Sequence, residues 1–348
     1  MYRGWKQGLY ALLGAGTAAL VFAAPGSCAD ALAAGLALCG GPLLLSLFPF
    51  LIVSTLLARS GGGELLGALL RPAARLAGVR ADSAGGVLLL GLAGGFAPAA
   101  NAAAQAVRAG RLTPAEAARL LPACICSGPS FVILTVGRGM LGSAGAGVRL
   151  FAAQALAGLL SAAVLARFTP QRPGSGTPPA PPAALPPLRL DAVIADAALT
   201  YCRLCGFILY FRLLAGGLGA VSPRLALPAA MALEVCSGCD LAARAGRWAP
   251  WLCCAAVSWQ GASALLQVRA ICPTEVSCRP LMAARLLHLP LSLGLFRLLL
   301  ALPGGAAPAA AVLHTAPVLL RRVPPDCAVL AFLGCCFIVC QLNRALEA

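Results

Sequence analysis

Charge is scarce in this chain, and one kind is nearly missing. Asp, Glu, Lys and Arg make up 11% of 348 residues, and Lys6 is the single lysine. A soluble domain carries about 25% charged residues, so that class is excluded. No basic run with interleaved aromatics occurs, which excludes a nucleic-acid interface. Histidine is limited to His288 and His314, in separate segments with no metalloprotease spacing. There is no GxSxG elbow and no Walker loop. Gly61-Gly-Gly63 lacks the Lys-Ser/Thr that follows a phosphate cradle. Neither an enzyme nor a cofactor is expected.

Cysteine is plentiful, at 16 residues, but mostly inside apolar runs such as Leu333-Gly-Cys-Cys-Phe-Ile-Val-Cys340. There it acts as a small hydrophobe. A secreted disulfide framework does not suit a chain that is neither small nor loop-rich. Cys202/Cys205 and Cys236/Cys239 form two CxxC pairs that could supply four thiolates to zinc or an iron–sulfur centre. Because Cys202 and Cys205 lie in a span-like run beside Tyr201 and Phe207, packing is the preferred reading and no metal is expected.

What the chain has in abundance is apolar length. Residues are 60% hydrophobic, and runs near 18 residues recur. This predicts an all-α, polytopic helical membrane protein in contact with the lipid bilayer. The net charge of +15 comes almost wholly from arginines at span ends. Leu9–Ala24 reads as a retained first span, with a cleaved signal peptide as the alternative. Residues 26–40 read as a short, weakly polar external segment, and Gly41–Ala58 as a second span. Arg59, Arg71, Arg75 and Arg80 then mark the inner side, where the N-terminus also lies. Glu64–Val79 places leucines on one side and arginines on the other, an interfacial amphipathic helix interrupted at Pro72.

Further spans are expected at Val148–Phe168, Ala197–Leu218 and Leu281–Leu302, with a short last one at Cys327–Leu342. Thr169–Leu188 holds eight prolines and reads as an extended linker. It divides an N-terminal half, residues 1–168, from a C-terminal half, residues 189–348.

Several apolar runs are broken. Ala84–Pro98 stops at Pro98, and Asn101 and Gln105 share a face of the helix that follows. Thr113-Pro-Ala-Glu116 is a capping box that starts a helix at Pro114, running to about Leu121. The chain breaks again at Ser127-Gly128-Pro129-Ser130. In the second half, a run stops at Glu234, ahead of Ser237 and Gly238. Ser258, Gln260, Gly261 and Ser263 interrupt Pro250–Gln267. Arg108-Ala-Gly-Arg111 recurs as Arg244-Ala-Gly-Arg247, and Pro98 and Glu234 each precede their turn by ten residues. Broken backbone survives at membrane depth only inside protein or along a wet cavity. Paired broken segments in two halves point to a midplane site.

Leu120-Leu-Pro-Ala-Cys-Ile-Cys-Ser-Gly-Pro-Ser-Phe131 resembles the gate (nucleoside-recognition) membrane module. Phe48-Pro49-Phe50, Gly95-x-x-Pro98, Leu233-Glu234 with Gly238, and Ser258-Trp-Gln-Gly-x-Ser263 with Gln267 follow the order of the YlbJ family of sporulation integral membrane proteins. The resemblance covers roughly residues 40–270. It implies two pseudo-repeated gate modules with broken half-helices, about 41–141 and 223–270. It also implies a multipass protein of the sporulating cell's membrane, acting in cortex formation alongside other sporulation membrane proteins. Ile125 and Cys126 stand where the family is Asn-rich, and Ala99 where it favours Gly, so fewer amides face a hydrophilic solute.

The candidate solute-binding residues are Asn101, Gln105, Ser127, Gly128, Pro129, Ser130, Glu234, Ser237, Gly238, Ser258, Gln260, Gly261, Ser263 and Gln267. Three functions are compatible with them. The first is a channel or carrier for a small polar solute, with Glu234 meeting a cation or proton. The second is a non-transporting scaffold that docks a sporulation partner. The third is a nucleoside or metal-ion transporter. Asp240, four residues before Arg244, reads as a helix-end charge pair.

Overall fold

A computed structural model describes residues 2–60, 62–168 and 188–302. The linker at 169–187 and the short span at Cys327–Leu342 lie outside these residues. Among the described residues the secondary structure is helical, with no strand. Pro25–Leu45, Ala144–Phe168, Leu190–Val221 and Arg279–Ala301 are long and apolar enough to cross a membrane.

The chain begins with α1 (Tyr2–Ala23) and α2 (Pro25–Gly40). Residues 26–40 are therefore helix, not an external segment. Their small side chains pack on α10 (Leu190–Val221), where a Cβ at Gly35 would meet Leu209. After a kink at Gly41 the path continues as α3 (Pro42–Ser60), which carries Pro49 inside it. The amphipathic stretch is split into α4 (Gly62–Gly67), a tight 3₁₀ turn at Ala68–Leu70 and α5 (Arg71–Leu76). Leu65 and Leu69 on it stay exposed, at 79% and 89%, so this face is open to lipid or solvent.

The first broken run is a hairpin. α6 (Ala84–Gly94) ends at Gly95, whose φ of +90° a side chain would resist, and α7 (Phe96–Arg108) doubles back. The break is thus at Gly95, not Pro98. Pro98 sits in the first turn of α7, where its missing N–H costs nothing. That also ends the equal ten-residue spacing to the two Arg-Ala-Gly-Arg turns.

α8 (Pro114–Cys124) starts at the capping box. Glu116 N donates to Thr113 Oγ1 at 3.2 Å, and Thr113 N donates to Glu116 Oε2 at 2.9 Å. Residues 125–128 are extended, and a π-helix, Ser130–Met140, carries on in the same direction. α9 (Ala144–Phe168) runs antiparallel along both pieces, with Gly147 against Gly137 and Gly158 against Pro122. So α6–α7 doubles back inside the molecule, whereas α8 and the π-helix together run on along α9.

The second half repeats this order. The span expected at Ala197–Leu218 begins earlier, at Leu190, as part of α10. α11 (Pro223–Leu233) and α12 (Val235–Ala242) form a hairpin with its tip at Glu234. α13 (Ala249–Trp259) and α14 (Gly261–Ile271) cross, with a break at Gln260, whose φ of +67° is the one left-handed non-glycine conformation among the described residues. α15 (Arg279–Ala301) runs antiparallel to α9, since Arg149 reaches the Leu299 carbonyl and His288 the Gln154 carbonyl.

Those pairings fix direction. The α6–α7 hairpin opens on the face bearing Arg59, Arg80, Arg108 and Arg279, the basic face. The α11–α12 hairpin opens on the opposite, far face. The two hairpins therefore point in opposite directions. Gly110 and Gly246, the glycines of the two Arg-Ala-Gly-Arg turns, both adopt positive φ, at +66° and +56°. The turns have the same local shape on opposite faces.

Candidate functional site

All four breaks meet at the centre. In the first half they cross so closely that a Cβ on Gly95 would lie 2.7 Å from Gly128 N. In the second half a Cβ on Gly261 would lie 2.8 Å from Glu234 N. Glycine is needed at both crossings because backbone meets backbone there. Between them is a cavity of about 30 Å³. Its lining includes Gly95, Ser127, Gly128, Glu234, Ser263 and Gln267, together with the apolar Leu43, Phe96, Phe131 and Ile208. A water needs ~10–15 Å³ of such space, so the cavity has room for a pair of waters or one small ion.

Glu234 is 1% exposed. Its carboxylate accepts from Cys236 N at 2.8 Å, Ser237 N at 2.7 Å and Ser237 Oγ at 2.9 Å. It is thus the N-cap of α12, set against the positive end of the helix dipole. Ser127 Oγ and Gln267 Oε1 are buried and make no hydrogen bond, while Gln267 Nε2 donates to Ser263 Oγ at 2.8 Å. The cavity therefore brings a carboxylate together with two unsatisfied oxygen groups.

The broken backbone is satisfied by side chains from the unbroken helices. Gln154 of α9, fully buried, accepts from Ser127 N at 3.3 Å and donates to Ser127 O at 2.8 Å. Arg285 of α15, 2% exposed, donates to Ile125 O at 2.6 Å, Ser258 O at 3.2 Å and Gln260 Oε1 at 3.1 Å. It thereby ties a break from each half together. Gln154 and Arg285 were not among the candidates read from the sequence. For Arg285 the available signal was an ionisable group inside an apolar span, which is rarely idle; the neutral amide of Gln154 gave none.

Of the sequence candidates, Ser127, Gly128, Glu234, Ser263 and Gln267 line the cavity, and Ser237 and Gly261 touch Glu234. Ser258 and Gln260 lie behind it with Arg285. Gly238 packs on Met231 inside the hairpin. Pro129 caps the π-helix and Ser130 begins it. Asn101 and Gln105 do not line the cavity. They sit further along α7 towards the basic face, where Asn101 donates to Thr55 Oγ1 at 3.3 Å.

No group of three or more His, Cys, Asp or Glu among the described residues is placed to hold a metal ion. Cys236 and Cys239 are buried in α12. Asp240 pairs with Arg244, and also with Arg212 at 3.2 Å. No family model, curated protein or solved structure matches the chain.

Proposed function

We propose that this chain is a membrane transporter or channel for a small polar solute, built from two inverted gate modules. The observation that carries the reading is that three helix breaks line one cavity containing Glu234, with the fourth, at Gln260, packed directly behind them. Irregular backbone at such depth is costly unless it serves a polar path, and inverted halves with discontinuous helices are the architecture of secondary transporters. The cavity volume favours water-sized species, a cation or a proton, over a nucleoside, whose base and ribose are far larger. In keeping with the resemblance to the YlbJ family, the site of action is the membrane of a sporulating cell, and the process served is cortex formation.

The scaffold reading needs the breaks on an outer surface, but Gly95, Gly128 and Gly261 are packed against other backbone inside the chain. The test is flux in proteoliposomes. Wild-type protein should pass small cations or protons under a gradient, and Glu234→Gln combined with Ser127→Ala should reduce the rate at least tenfold. An unchanged rate in the double variant removes the cavity from the mechanism.

A further inference from the structure

Along the helices that line the central cavity, an ion pair stands towards each face. Towards the far face the barrier is one helical turn away. Ile208 of α10 and Cys236 of α12 line the cavity. Arg212 and Asp240, each four residues further along the same helices, meet at 3.2 Å. Arg244, from the second Arg-Ala-Gly-Arg turn, reaches the same carboxylate.

Towards the basic face, three helices run from the central cavity to a second one of about 20 Å³. α3 passes from Leu43 and Leu47 to Leu57, α6 from Gly94 back to Leu90 and Val87, and α7 from Phe96 and Ala97 to Ala102 and Ala106. At ~1.5 Å per residue the two spaces lie on the order of 10 Å apart. The Asn101–Thr55 hydrogen bond lies between them. Arg111, from the first Arg-Ala-Gly-Arg turn, and Glu64 of α4 line the second cavity and pair at 2.7 Å.

We propose that these ion pairs are the two gates of one route through the molecule, Arg212–Asp240–Arg244 on the far side and Arg111–Glu64 on the basic side, with the structure closed at both. The inverted halves place a turn arginine in each gate, as equivalent positions of the two modules would require. The pairs are also of a kind that can open. Arg212 Nη1 is buried without a hydrogen bond, so only part of its guanidinium is engaged. Arg111 and Glu64 side chains are 30% and 35% exposed, so the surroundings screen their attraction and the pair is weakly held. Arg285, with three acceptors in the sealed interior, is the fixed element by contrast.

The gate assignment rests on the transport reading for its purpose but is testable without flux. Cys236 is a native reporter in the cavity wall, 3% exposed. In oriented proteoliposomes, a membrane-impermeant thiosulfonate is added from one side at a time, and modification of each cysteine is read by peptide mass spectrometry. Wild-type Cys236 should react slowly from either side. Asp240→Asn should raise its rate at least tenfold from the far side only, and Glu64→Gln from the basic side only. Cys124, fully buried in α8, should stay unreactive throughout. The assignment is overturned if neither variant changes the rate, if either raises it from both sides, or if Cys124 reacts in step with Cys236. Gated access without solute flux would keep the gates and reject transport.

Discussion

A full positive charge buried beside carbonyl groups, as Arg285 is, costs several kcal/mol to desolvate. It is tolerated because the helices are broken at 125–128 and at left-handed Gln260, and the guanidinium supplies donors to Ile125 O and Ser258 O there. Arg285→Met should therefore cost more than a cavity of its size alone. Ser258 O loses its guanidinium donor, at ~1–3 kcal/mol for a carbonyl left unpaired, and Ile125 O keeps only Gln260 Nε2, at 3.4 Å. Gln154→Leu strands the N–H and C=O of Ser127 on the same scale. Thermal unfolding in detergent checks both, and a loss below ~1 kcal/mol for Arg285→Met means water replaces the guanidinium. Their contribution was hidden in the sequence, because a single Gln or Arg in a span gives no hint of which carbonyl it meets. Glu116 was legible for the opposite reason, since its partner Thr113 is three residues away.

At the scale of elements, the breaks were partly legible. Gly and Pro announce interruptions, and the stops at Ser127–Pro129, Glu234 and Gln260 lie where composition suggests. Gly95 was missed in favour of Pro98, because proline reads as a breaker although a helix accepts it in the first turn. Only the crossing of α6–α7 over residues 126–128 shows why glycine is needed at 95. Gly95→Ala combines a left-handed φ with a backbone clash and should destabilise by at least ~1–3 kcal/mol. Gly246→Ala has positive φ but open space around it, and should cost less. Thermal shifts of the two, measured side by side, separate conformational strain from packing; equal shifts would deny the tight crossing.

Over the whole molecule, the proposed inversion of the halves makes a topological prediction. The turns at 109–113 and 272–278 belong to the basic face, and those at 142–143 and 243–248 to the far face. Cys278, partly buried, should be modified only from the basic side, whereas a cysteine introduced as Gly246→Cys should react only from the far side. Burial holds the Cys278 thiol above its ordinary value. Since the thiolate is the reactive form, its labelling should speed up as pH rises. Reaction of both sites from one side would refute the inversion.

Composition and hydropathy were sufficient for an all-helical, membrane-suited chain with capped and broken helices, because burial in lipid and helix capping act on residues close in sequence. Whether a broken run turns back or crosses, which face each hairpin opens on, and that Glu234, Ser127 and Gln267 share one cavity were decided by tertiary structure. Those outcomes depend on glycine crossings and on side chains of α9 and α15 meeting backbone far away in the chain, and pairings over such separations leave no local pattern to read.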